Sequence, residues 1–239
     1  MNNRRTLIAA IVGGALLLGA AGLGIIYFVV FAGSSPQKLA LSSPTPSTSA
    51  STSPDSSTGA GTWTVGSGSQ AGYRVREKLA ALSAPSDAVG RTTAVTGTLT
   101  LTQAWSGYSV TAANFTVDVS KLSSDQSRRD QRIHSQGLQS DRYPTATFTL
   151  TSPIALAADA GSGQTIHLSA TGDLTIHGVT KSVTIPIDAR LTGSTIELVG
   201  SISFPFSQFG MTPPSIGGFV SVQNTATMEF QLLLTRQGA

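Results

Sequence analysis

The sequence predicts a single all-β domain, closed as an antiparallel barrel, behind one N-terminal membrane helix. Three observations lead there. From Trp63 onward, apolar and polar residues alternate over about eight short segments, the period of strands with one buried and one wet face. Glycines fall among the apolar positions (Gly97, Gly172, Gly200), where they permit the sharp coiling that closure of a sheet requires. Ahead of all this, residues 6–31 contain no charge.

Taken in chain order, residues 1–5 form a short basic terminus with Arg4 and Arg5, followed by the apolar run 6–31 of 26 residues. At ~1.5 Å per residue the run spans roughly 39 Å, more than the ~30 Å hydrocarbon core of a bilayer. The next basic residue is Lys38, so the positive-inside bias places residues 1–5 in the cytoplasm and the rest outside, as a single-pass anchor. A cleaved signal peptide is the competing reading; it calls for a shorter apolar region and small residues at a cleavage site, and Val30-Phe31-Ala32 fits that poorly. Residues 32–61 follow as a linker. Between Ser42 and Thr58 every residue except Ala50 and Asp55 is Ser, Thr or Pro, a composition that buries nothing and predicts an extended, mobile stalk. As a flexible coil, 33–61 would reach about 30 Å.

Residues 62–239 carry the alternation. Trp63 and Val65 open it, then Tyr73 and Val75. Val95, Gly97, Leu99 and Leu101 share one face and Thr96, Thr98, Thr100 and Thr102 the other. Phe115, Val117 and Val119 follow, then Ala146, Phe148 and Leu150 opposite Thr145, Thr147, Thr149 and Thr151. The pattern returns in Leu174/Ile176, Val183/Ile185/Ile187, Ile196 to Phe206 and Ala226 to Leu234. β-Branched threonines on the wet face suit a pleated surface. Such strands hide their apolar face by stacking as a sandwich or closing as a barrel, and the glycines favour closure. One stretch departs from the rule: Ser123 to Gln136 is polar without alternation, with a capping box of Ser123 and Gln126 and a stop at Gly137. It predicts one short helix covering a barrel end or lying across the outside.

Composition narrows the function. Charged residues are 11% of the chain and scattered in sign, with a net charge of +3, which argues against a nucleic-acid surface. With no cysteine, disulfides, thiolate catalysis and lipoprotein anchoring are excluded. No G-x-S-x-G elbow, phosphate loop or H-E-x-x-H motif occurs. His134, His167 and His177 match no metal spacing, and Asp130, Asp141 and Asp173 read as surface charges or helix ends rather than an acid–base pair. Neither a catalytic nor a metal site is expected. His177 falls at a hairpin tip before Gly178, where it is expected to be exposed.

Several segments resemble one family. DLTIHGVTKSVTIPI (Asp173 to Ile187) resembles the strand–turn–strand signature of the YceI-like family, and RRDQRIHSQGLQSDRYPTATF (Arg128 to Phe148) is similar to its charged helix, turn and Tyr-Pro entry into a strand. FSQFGM (Phe206 to Met211) and Trp63-Thr64-Val65 resemble its late and opening segments. The resemblance implies a lipocalin-like, eight-stranded barrel outside the cytoplasm, non-enzymatic, with no cofactor, whose tunnel binds an isoprenoid quinone, polyprenyl lipid or similar amphiphile. Strand parity and the resemblance together assign the lining to Phe115, Phe148, Leu150, Leu174, Ile176, Phe204, Phe206, Phe209 and Met211. The alternative is a surface interaction module with a side-chain-filled barrel, its first contact the loop Gly210 to Gly218. Pairing of two barrels is open at this level.

Overall fold

The structure, a computed structural model, describes residues 35–43, 59–79, 86–105, 107–216 and 220–236. The chain divides into two units, Met1–Pro36 and Gln37–Ala239. The expected membrane span at 6–31 and most of the Ser/Thr/Pro run lie outside the described residues. Among the described residues no helix is long and apolar enough to cross a membrane.

The second unit is a closed antiparallel barrel of eight staves. Strands β1 (Gly61–Val65) and β2 (Gln70–Leu79) form one stave, and β3 (Ser86–Thr92) and β4 (Val95–Ala104) the next. The others are β5 (Gly107–Asp118), β6 (Thr145–Leu150) with the short β7 (Ile154–Ala157), β8 (Ile166–Ile176), β9 (Val179–Thr192), β10 (Thr195–Phe204) and β12 (Val220–Arg236); β11 (Ser215–Ile216) folds back on β12. The path β1-β4-β5-β6-β8-β9-β10-β12 closes because β1 pairs on one side with β4 and on the other with β12. Closure leaves no edge among these staves to template aggregation. At the bend between β1 and β2 the Ser69 hydroxyl donates to the Gly66 carbonyl (2.8 Å) and accepts from the Leu233 N–H (2.9 Å). A side chain thus stands in for the interrupted ladder.

The interior glycines act through rings as much as through backbone freedom. A Cβ at Gly97 would lie 2.6 Å from the Phe115 ring, at Gly172 2.5 Å from Phe148, at Gly200 2.5 Å from Phe230, and at Gly90 2.3 Å from Tyr73. Each glycine lets an aromatic ring from the neighbouring strand lie flat over the wall, the arrangement that rescues glycine in strongly curved sheets.

The polar helix exists but does not start as expected. α1 (Ser127–Arg132) continues into a π-turn, Ile133–Gly137. Gln126 is its N-cap residue and makes no side-chain capping bond. Ser123 instead exchanges backbone hydrogen bonds with Arg91, so the Ser123–Gln126 box does not form. The Asp130 carboxylate reaches back to accept from the N–H of Ser124 (3.0 Å) and its hydroxyl (2.7 Å). β3 and β7 were not foreseen, since SDAVGRT and IALA show little alternation.

Candidate functional site

Inward parity puts two apolar clusters inside the barrel. At the end where β5 and β10 begin, Trp63, Leu99, Leu101, Val110, Leu198, Leu232 and Leu234 are buried together. At the opposite end, Leu174, Ile176, Val183, Ile185, Phe204, Phe206, Phe209 and Met211 form the second cluster, with Phe204 and Phe209 edge to face at 4.8 Å. Where the clusters meet there is a cavity of about 70 Å³, several times the ~10–15 Å³ that holds one water. Ala71, Val95, Phe115, Val117, Ala146, Thr147, Phe148 and Leu174 line one part of it, and Ile185, Ile187, Leu198, Met228, Phe230 and Leu232 the rest. The surface they present to it is apolar, and such a cavity stays dry and takes hydrocarbon.

Of the nine residues assigned from the sequence, Phe115, Phe148 and Leu174 line this cavity. Ile176, Phe204, Phe206, Phe209 and Met211 lie in the cluster that closes one end. Leu150 packs half-buried against the other cluster. The void is therefore a central chamber between the two clusters. Parity could have found Ile187, Met228, Phe230 and Leu232, which share the inward face of strands already identified. Ala71 and Ala146 are inward too, and their small size makes the room.

The aromatic end carries the polar groups. Glu77, inward on β2, accepts from Arg129 of α1 (Nη2 to Oε2, 3.2 Å). Burial would lower the Arg129 pKa, but its bonds with Glu77 and Asp125 outweigh this and raise it, so the guanidinium stays charged. Tyr73, two residues along the same face, has a buried hydroxyl with no hydrogen-bond partner. Burial raises its pKa well above the ordinary phenol value, Arg129 pulls it down less, and Asp130, Glu77 and Asp125 push it up further. His177 is not the exposed tip residue expected. Tyr143 and the 3₁₀ turn Phe206–Phe209 fold against it: its ring is 4.6 Å from that of Tyr143, its Nδ1 bonds the Phe209 carbonyl at 3.2 Å, and its Nε2 is buried without a partner. Its φ of 53° is the left-handed value a tight two-residue hairpin demands.

The other candidates for chemistry are apart. His134, in the π-turn, bonds the Ser140 hydroxyl at 2.5 Å and the Leu122 carbonyl at 3.2 Å. His167 is exposed on the outer wall beside Asp188 (2.6 Å). Asp130 serves Ser124, and Asp141 and Asp173 are exposed. Among the described residues no three metal-ligating side chains gather.

The YceI-like domain family matches residues 63–234. A UPF0312 protein of Vibrio campbellii is 41% identical over 82 residues, which are 34% of this chain and 39% of that protein. Protein YceI of Shigella flexneri is 37% identical over 81 residues, 34% of this chain and 37% of that protein. The chain thus matches less than half the length of these curated relatives. Among solved structures it is similar to a polyisoprenoid binding domain from Saccharophagus degradans implicated in plant cell wall breakdown, at 12% identity and a TM-score of 0.54 over 74% of this chain and 99% of that one. That likeness is one of fold.

Proposed function

The chain belongs to the YceI-like domain family, and from that premise we propose that it is a membrane-anchored, extracytoplasmic binding protein that holds an isoprenoid or similar amphiphilic lipid inside its barrel, for carriage or storage. The observation that carries the reading is the apolar cavity at the centre of a closed barrel. Each methylene taken from water into such a site contributes about 0.8 kcal/mol, so a short run of chain suffices for firm binding. The printed description of the Saccharophagus degradans neighbour as polyisoprenoid binding supports the ligand class. The uncharged run 6–31 with its preceding arginines supports the anchor and the orientation. The role is binding rather than catalysis: the chamber presents apolar walls, and the Ser140–His134 contact lies outside its lining.

A cavity of this size seats part of a chain. A longer one needs the Phe204, Phe206, Phe209 and Met211 cluster to move aside, and that cluster adjoins the polar groups a headgroup would meet. The test is extraction of lipid from the full-length protein purified from its own host, compared with Ala146→Leu, which puts three more carbons into the chamber. Wild type should release an isoprenoid or acyl lipid at near-stoichiometric amount. The variant should release at least about tenfold less while losing no more than about 3 kcal/mol of stability. Equal lipid in both would move the site out of the chamber. No lipid in either, and no uptake of added quinone, would turn the reading to a side-chain-filled interaction module.

A further inference from the structure

The outer wall of the barrel over β3, β2, β12, β10 and β9 has charges that are not in water. Glu229 is 2% exposed, Glu197 4% and Arg74 8%, and Val199 on the same outward parity is buried as well. Lone charges are almost never this buried on a solvated face. Here they are paired: Glu229 with Arg74 (3.4 Å) and Arg91 (2.8 Å), and Glu197 with Arg190 (3.1 Å).

Across these strands runs the segment Gln37–Ser43. Arg91 donates to the Gln37 carbonyl, Gln231 to the Ala40 carbonyl (3.2 Å) and Arg190 to the Ser42 carbonyl. In return the Ser42 N–H and hydroxyl both donate to Glu197 Oε1 at 2.9 Å. Burial pushes the Glu197 carboxyl up, but the bonds from Gln231, Ser42 and Arg190 outweigh it and hold it below the usual carboxylate range. Leu39 and Leu41 are half-buried while Lys38, Ala40 and Ser42 are exposed, the alternation of an extended strap with one edge turned down. At the far side of the Ser/Thr/Pro run, Gly59 is held too: its N–H donates to the Tyr108 hydroxyl (3.3 Å) and its carbonyl accepts from Trp63 Nε1 (3.1 Å). Tyr108 opens β5 and Glu197 opens β10, strands that run the same way. Both roots of the Ser/Thr/Pro run therefore lie toward one end of the barrel.

We propose that Gln37–Ser43 is a docked strap whose receptor is this charged outer wall, which fixes the chain on the barrel ahead of the Ser/Thr/Pro run.

The experiment uses the full chain in phosphatidylethanolamine/phosphatidylglycerol vesicles, with Ser42→Pro to release the strap and Ser42→Ala as the milder variant. Ser42→Pro removes both donors to Glu197 and leaves Gln231 and Arg190 on it. Tryptic cleavage after Lys38 should be about tenfold faster or more in Ser42→Pro, intermediate in Ser42→Ala, with the barrel melting as in wild type. Cleavage after Lys38 at the same rate in all three overturns the strap.

Discussion

At the end where β5 and β10 begin, the barrel interior is closed by Trp63, Leu99, Leu101, Leu198, Leu232 and Leu234. There the Trp63 indole N–H donates to the Gly59 carbonyl and the Tyr108 hydroxyl accepts from the Gly59 N–H. At the opposite end, aromatic and sulfur side chains close the interior beside a Glu77–Arg129 ion pair, and two buried polar atoms, Tyr73 Oη and His177 Nε2, lack partners. A fully satisfied aliphatic plug has nothing to gain by opening. An end with unsatisfied donors, held to a six-residue helix by charge, gives up less when it opens. On the lipid-binding reading, the difference makes the aromatic end the expected door and the aliphatic end the floor.

The largest effects should come from truncating the best-buried side chain at each end, Phe209 and Leu234, both 0% exposed. Phe209→Ala should cost about 3–5 kcal/mol and Leu234→Ala about 2–5 kcal/mol by urea unfolding. The two should differ in kinetics: Phe209→Ala accelerates exchange of bound lipid, and Leu234→Ala leaves it unchanged. Faster exchange in Leu234→Ala alone would reverse door and floor.

A smaller loss is expected from Glu77→Gln, which leaves the half-buried Arg129 guanidinium without its inward counter-charge. It should destabilise by about 1–2 kcal/mol and speed lipid exchange without changing the amount bound at equilibrium, which stopped-flow dilution of a fluorescent quinone would read. The smallest effect belongs to Tyr73→Phe. Removing a buried hydroxyl that bonds to nothing should be neutral or stabilising by up to about 1 kcal/mol at pH 7. Its signature is alkaline. The folded state keeps the phenol protonated while the unfolded chain ionises near pH ~10, so above that pH the unfolded state binds fewer protons and wild type loses stability as pH rises. Tyr73→Phe should lack this loss. An alkaline profile identical to wild type would show that Tyr73 gains water or a partner in solution.

Local pattern carried a good deal of this. Period-two alternation placed Val95 to Leu101, Phe115 to Val117, Ala146 to Leu150 and Val183 to Ile187 on strands with the right face inward, because each side chain's face depends only on its own backbone parity. The polar tract Ser123 to Gln136 was legible as helix for the same local reason, although its first turn was not: Ser123 found Arg91 across the barrel before it could cap anything. The motifs that resembled the YceI-like family led to the right family.

What alternation cannot carry is position along the barrel axis. Phe148 and Phe206 look alike in sequence, yet one faces the chamber and the other closes an end, a difference set by register with strands many residues distant. Nor could composition show that Gln37–Ser43 lies on the wall, since its partners Arg91, Arg190, Glu197 and Gln231 are between 54 and 191 residues away. The sequence by itself determined the strands, their inward faces and the family. Only the tertiary structure decided where the chamber lies, which end is polar, why His177 is covered and where the strap docks, because each of these is a meeting of side chains that share space and not sequence.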